Sequence, residues 1–158
     1  MKNHIVITGG AGFIGSNLTQ ILDSKNFKTI IYDDFSNASG LTNLPKKTTV
    51  VKGSIMNYNN LKSVVRKADV VFNLAVLPLP MSFTHPDKVV NVNGYGSFLV
   101  AKACSNFKVK LIHISSSEVY GTARSNTMKE SHLLIPTTTY AASKVSSEAY
   151  VNAFGVSD

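Results

Sequence analysis

The sequence predicts an α/β fold, a doubly wound parallel sheet of about five strands in a three-layer α/β/α arrangement. Two observations carry that expectation. Short apolar runs rich in β-branched residues alternate with segments of helical period, the order that builds an open parallel sheet with right-handed crossovers. In addition, Asp33, Ser54, Asn73 and the serines at 115–117 all follow the carboxyl ends of predicted strands, the edge at which open α/β sheets bind ligands.

The elements follow in order. Ile5-Val6-Ile7 is short and β-branched, as a buried strand should be. Phe13, Ile14, Leu18, Ile21 and Leu22 recur at helical spacing, in a helix ending near Lys25-Asn26. Thr29–Tyr32 is a second strand closing in Asp33-Asp34, and Ser36–Gly40 is turn-rich. Thr49–Val51 is a third strand, and Leu61, Val64 and Val65 mark one face of a short helix. A fourth strand is expected over Val70–Ala75, after which Leu77–Pro80 must leave regular structure because proline removes donors. One long helix is expected from Pro86-Asp87 to about Asn106, burying Val89, Leu99, Val100, Ala103 and Cys104. Lys110–Ile114 is the fifth strand, Thr122–Thr139 is polar and loop-like, and a last helix runs from Tyr140 to about Ala153.

Composition narrows the function classes. A chain of 158 residues with 44% hydrophobic content can bury a core, and residues 1–158 read as one domain. No apolar run is long enough to span a membrane, and Met1–His4 leads into a strand without a signal-peptide pattern. The single cysteine, Cys104, lies in an apolar helical pattern and reads as a buried structural thiol, which makes the cytoplasm the expected compartment. The net charge of +7 is spread along the chain rather than gathered among aromatics. Nucleic-acid binding, which needs a basic face, is therefore not expected, whereas attraction of an anionic small molecule is compatible with it.

The first strand feeds Thr8-Gly9-Gly10-Ala11-Gly12-Phe13-Ile14-Gly15, whose glycines fit both Gly9-x-x-Gly12-x-x-Gly15 and Gly10-x-Gly12-x-x-Gly15. A strand, a glycine-rich turn and a helix make the dinucleotide-binding arrangement: one glycine for the tight turn, one for approach to a pyrophosphate, one for helix–strand packing. The helix N-terminus adds a partial positive charge. Gly9, Gly12, Phe13, Ile14 and Gly15 are thus expected to face the cofactor. Asp33, eighteen positions beyond Gly15, suits a carboxylate accepting hydrogen bonds from an adenosine ribose, and no arginine stands nearby for a 2′-phosphate, so NAD is the expected cofactor. Asp34 is its adjacent competitor.

Tyr140-Ala141-Ala142-Ser143-Lys144 places a phenol and an ammonium four residues apart on one helix face. The ammonium stabilises phenolate, which makes the pair a general base for a hydroxyl. The spacing alone is common.

Taken together and in this order, Thr8–Gly15, the Asp33 strand end, Ser115-Ser116-Ser117-Glu118-Val119-Tyr120-Gly121 and Tyr140–Lys144 resemble the extended short-chain dehydrogenase/reductase family, in its nucleotide-sugar epimerase, dehydratase and decarboxylase group. The resemblance covers roughly residues 4–154 and implies a Rossmann-type, NAD-binding domain whose parent reaction transiently oxidises a nucleotide-sugar at C4. Tyr140 is then the base toward the sugar 4-hydroxyl, Lys144 binds the nicotinamide ribose and lowers the phenol's affinity for its proton, and Ser116 hydrogen-bonds the same sugar oxygen. Glu118 is implied to take a proton made acidic by the neighbouring ketone, as in dehydratases and decarboxylases. The resemblance also assigns Ser54 and Ile55 to the adenine end and Leu74, Ala75 and Val76 to the nicotinamide end.

The sequence departs from the family pattern at several points. Ser117 stands where some dehydratases carry an aspartic acid; Gly53-Ser54-Ile55 replaces Gly-Asp-hydrophobic; and Asn73-Leu74-Ala75-Val76 replaces His-hydrophobic-Ala-Ala. Asn91 matches a family asparagine in the long helix. Family members continue past the Tyr-Lys helix into a substrate-binding region, whereas this sequence stops at Ser157-Asp158. The expectation is therefore a piece that lacks the residues choosing nucleotide and sugar, with an apolar sheet edge favouring association. Its two long helices resemble the family's dimer-forming pair, so a homodimer is expected. The alternative reading is a Rossmann domain that holds NAD without turnover.

Overall fold

In the computed structural model, residues 4–37, 44–123 and 125–155 are described. Ala38–Gly40 of the expected turn and the terminal Ser157-Asp158 lie outside them. Five strands, β1 His4–Thr8, β2 Lys28–Asp33, β3 Thr49–Lys52, β4 Val70–Asn73 and β5 Lys110–His113, form one parallel sheet in the order β3-β2-β1-β4-β5. The chain winds outward from β1 to β3 and then returns to β4 on the other side. That reversal opens a crevice at the carboxyl edge between β1 and β4.

The helices are α1 Phe13–Ser24, α2 Tyr58–Val65, α3 Met81–Thr84, α4 Pro86–Val89, α5 Ser97–Phe107 and α6 Thr139–Phe154. Alternation along β1 separates the two faces: Ile5 and Ile7 pack with Leu22 and Leu18 of α1, whereas Val6 joins Val71, Leu111, Leu61, Val100 and Cys104 on the opposite face. Burial pushes the Cys104 thiol up to about 12, as befits a thiol that is only packed. Among the described residues no helix is long and apolar enough to cross a membrane.

Five details differ from expectation. The long helix is not uniform, because Val90–Gly96 between α4 and α5 is π-helical. The chain there must pass very close to its neighbours: a Cβ at Gly96 would lie 2.5 Å from Ile55 Cδ1. Met81–Thr84 is helical, a single turn too short to register as a period. Ser117–Tyr120 forms a 3₁₀ turn capped by Ser116. Strands β4 and β5 end at Asn73 and His113, not Ala75 and Ile114. Although Leu74 N still donates to Thr8 O at 3.0 Å, the chain beyond it turns over Gly9. Finally, the period of α1 is divided: Leu18 and Leu22 face the sheet, while Phe13 is 77% and Ile14 59% exposed, because the first turn of α1 stands at the sheet edge.

Candidate active site

The glycine turn is built by backbone approach. Gly9 adopts φ +67°, and a Cβ there would lie 2.6 Å from Ala75 N, so any side chain is excluded twice over. A Cβ at Gly15 would lie 2.5 Å from Gly10 Cα, which brings α1 hard against the turn. Gly12 is the N-cap of α1 and supplies no side-chain acceptor to the first amides of the helix. Of the two glycine readings, Gly9, Gly12 and Gly15 line the cleft; Gly10 packs instead under Ile31.

The two aspartates also separate. Asp33 Oδ2 accepts from Ala11 N at 2.9 Å and Oδ1 from Phe35 N at 2.8 Å, tying the end of β2 to the glycine turn. Asp34, more exposed, accepts from Ser36 N at 2.9 Å.

The cleft has a volume of about 380 Å³. One end is lined by Asp33, Asp34, Ser36, Asn37, Ser54 and Ile55; the middle by Gly9, Gly12, Phe13, Ile14, Gly15, Leu74, Ala75 and Val76; the far end by Ile114, Ser115, Tyr140 and Lys144. Ser116 and Glu118 are not in its lining. They sit one step beyond Ser115, half-buried, with Ser116 Oγ accepting from Glu118 N at 3.2 Å. Helix α6 begins at Thr139, with Thr138 Oγ1 capping Ala141 N at 3.0 Å, and so aims Tyr140 and Lys144 along one face toward the cleft.

Lys144 is 4% exposed and its Nζ donates to Ile114 O. Burial draws the ammonium down to about 8, against the opposing pull of Glu148. Ser115 Oγ is buried and has no hydrogen-bond partner among the described residues, although its residue lines the cleft. A hydroxyl in that state has both a donor and acceptors to offer a ligand.

Some residues of the site escape sequence reasoning. Asn91 is exposed, whereas Asn93, 1% exposed, accepts from Leu77 N at 2.8 Å through Oδ1 and donates from Nδ2 to Leu77 O at 3.0 Å. It thereby clamps the loop that forms the cleft's middle wall. The signal was available: Val89, Asn93, Ser97, Val100 and Cys104 repeat inward on the long helix, and a polar residue on such a stripe needs partners. His113 is another case. It accepts from Asn73 Nδ2 at 3.1 Å and donates to Ser147 Oγ at 2.8 Å, and burial together with the Lys144 charge draws it down to about 3.

Comparison with known proteins agrees with this fold. The chain is 33% identical over 172 residues to the dTDP-D-glucose 4,6-dehydratase of Dictyostelium discoideum, covering 95% of this chain and 40% of that protein. It is 33% identical over 124 residues to the UDP-N-acetyl-alpha-D-glucosaminuronate decarboxylase of Bacillus cytotoxicus, covering 77% and 39%. The crystal structure of UDP-glucose 4-epimerase from Brucella ovis, in complex with NAD, superposes with a TM-score of 0.89 at 25% identity, over 98% of this chain and 49% of that one. The chain thus spans about 40% of the length of these two sequence relatives. The family model described as GDP-mannose 4,6 dehydratase matches residues 6–158, and with the doubly wound sheet and its glycine turn already in place, the chain belongs to that family of extended short-chain dehydrogenase/reductase proteins.

Proposed function

We propose that this chain is the NAD-binding part of a nucleotide-sugar epimerase, dehydratase or decarboxylase that transiently oxidises its sugar at C4. The observation that carries the proposal is the continuity of one cleft from Asp33, past the side-chain-free glycine turn, to Tyr140 and Lys144. The residues fit the cofactor. A Cβ at Gly9 would close the approach a pyrophosphate needs, the N-cap Gly12 puts no side chain on the first amides of α1, and the buried Ser115 hydroxyl at the opposite end has no partner among the described residues. Gly9, Gly12, Phe13, Ile14 and Gly15 would hold the pyrophosphate, Asp33 the adenosine ribose, Ser54 and Ile55 the adenine, and Leu74, Ala75, Val76, Tyr140 and Lys144 the nicotinamide end. NAD supplies the hydride acceptor. Its binding in the Brucella ovis relative supports the assignment.

The protein residues manage protons. Tyr140 would take the proton of the sugar 4-hydroxyl, with the Lys144 ammonium, largely protonated at neutral pH, on the same helix face of the cleft. Ser116 accepts from Glu118 N through a lone pair and keeps its own O–H to donate to that sugar oxygen. Glu118, on the adjoining turn, would take the proton that the C4 ketone acidifies. Relatives named as dehydratase and decarboxylase support that role.

Calorimetric titration with NAD and NADP tests the cofactor, with NAD bound more tightly. No heat from NAD at millimolar concentration would remove the proposal. Incubation with UDP-, GDP- and dTDP-sugars and product identification tests the reaction, and Tyr140→Phe should lower turnover by about 10²–10⁴-fold. The span of about 40% of the relatives favours a second reading for the isolated chain, NAD binding without turnover. In that case the titration succeeds and every sugar is returned unchanged.

Tyr95, Phe98, Tyr150 and Phe154 form an aromatic cluster on the long helix and α6, with Tyr95 52% and Tyr150 39% exposed. We assign this face to a homodimer, which sedimentation would detect and Tyr95→Glu would dissociate. A cytoplasmic location completes the reading.

A further inference from the structure

The last residues of three neighbouring strands stand in register, Thr8 beside Asn73 and Asn73 beside His113. Each alternates onto the sheet face that Val6, Val71 and Leu111 occupy. An apolar face would be expected to continue there, yet all three residues are polar and joined. Thr8 Oγ1 lies 2.6 Å from Asn73 Oδ1, and Asn73 Nδ2 lies 3.1 Å from both Ser97 Oγ and His113 Nδ1. His113 Nε2 lies 2.8 Å from Ser147 Oγ on α6, which donates to Lys144 O at 2.7 Å.

The direction of these bonds is forced. Asn73 Oδ1 only accepts, so Thr8 donates to it. Asn73 Nδ2 only donates, so His113 Nδ1 must accept, which leaves the proton of the neutral ring on Nε2 to be given to Ser147. Every group then has its partner, and the chain runs one way from β1 to α6.

We propose that the Asn73–His113–Ser147 chain is a positioning device that sets α6 at one height over the carboxyl edge of the sheet, so that Lys144 meets Ile114 O and faces the cleft. The buried side of α6 needs such a device. Its buried residues are Ala141, Ser143, Lys144, Ser147 and Val151, mostly small, and small residues interlock weakly against sliding. A slide of one helical turn would carry Lys144 about 5.4 Å along the axis. A directional hydrogen bond at Ser147, one turn from Lys144, opposes that movement. The inference rests on the reading that Lys144 serves the nicotinamide end, and it makes His113 and Ser147 positioning residues, since neither lines the cleft.

The test compares His113→Phe, His113→Gln, Ser147→Ala and the His113→Phe/Ser147→Ala double variant, with NAD as probe and each protein kept well below its unfolding temperature. His113→Phe and Ser147→Ala should each weaken NAD binding by about tenfold, and the double variant by no more than either alone. Gln can accept from Asn73 and donate to Ser147, so His113→Gln should recover most of the loss. Additive single effects, binding within twofold of wild type in His113→Phe, or a glutamine variant as impaired as the phenylalanine one would overturn the proposal. Two further measurements do not need NAD binding, and the first needs no variant either. Nitrogen-15 shifts of His113 in the wild-type chain must show the neutral Nε2–H tautomer, and an Nδ1–H tautomer overturns the device outright. The resonances of the Lys144 ε-CH₂ and amine should broaden or shift in Ser147→Ala. If wild type fails to bind NAD but these signatures hold, the cofactor assignment falls and the positioning device stands.

Discussion

The two ends of the cleft are built from different materials. At the glycine turn, the wall is backbone: Gly9 against Ala75, Gly15 against Gly10, and Asp33 returning both carboxylate oxygens to main-chain amides. At the Tyr140–Lys144 end, the wall is side chain. It holds an ammonium drawn down to about 8, a serine hydroxyl with no partner among the described residues and a polar chain through His113 beneath them. The backbone approaches at Gly9 and Gly15 involve no titratable group and are intolerant of any added atom. A side-chain wall tolerates shape changes better but depends on protonation states held by burial.

Acid should therefore loosen one end before the other, and this is the largest effect expected. The His113 ring titrates near 3 in the folded chain against an ordinary 6.5. The unfolded chain takes up the proton first as pH falls, so stability present above pH 6.5 is lost progressively toward pH 3. The full loss is on the order of 5 kcal/mol. Hydrogen exchange followed as pH drops should show α6 amides losing protection before those of α1, and equal loss at both ends would break the comparison. At the other end, Gly9→Ala should cost about 3 kcal/mol, since a methyl group meets the Ala75 backbone at positive φ. That penalty, measured by urea unfolding, should be the same at pH 5 and pH 8.

A smaller effect sharpens the side-chain end further. Lys144 has its folded value lowered from 10.5 to about 8, so the folded chain sheds this proton before the unfolded one. Burying the charge penalises folding below pH 8, and the penalty is relieved as pH rises toward 10.5. Relative to Lys144→Met, the wild-type chain should gain about 3 kcal/mol across that window, measured by denaturant unfolding at each pH. A parallel pH dependence in the two proteins would mean that the ammonium is solvated. The smallest effect is at the start of α6, where Thr138→Ala removes the cap on Ala141 N and should cost about 1 kcal/mol, seen as a lowered unfolding midpoint.

The same division explains what was legible. Strand β1, the glycine turn and Asp33 are contiguous or nearly so, and glycine at Gly9 and Gly15 announces a backbone constraint that few other residues could meet. The Tyr140–Lys144 pair was legible only as a spacing, which became informative beside the other motifs. The π-helical segment, the Asn93 clamp on Leu77 and the His113 chain are not legible in the sequence, because each depends on which distant atom lies opposite. Phe13 and Ile14 carry the same lesson, since a helical period marks a face but not whether the sheet reaches that turn.

By itself, then, the sequence determined the alternation of strands and helices, the placement of polar residues at the carboxyl edge and the dinucleotide turn. Local sterics and periodicity dictate all three. Only the tertiary structure decided that Gly9, not Gly10, faces the cleft, that Asp33 latches to Ala11, and that Asn73, His113 and Ser147 join into one chain under Lys144. Hydrogen-bond partners from residues 8 to 147 are chosen by strand register and helix packing, and neither is written in any single stretch of the chain.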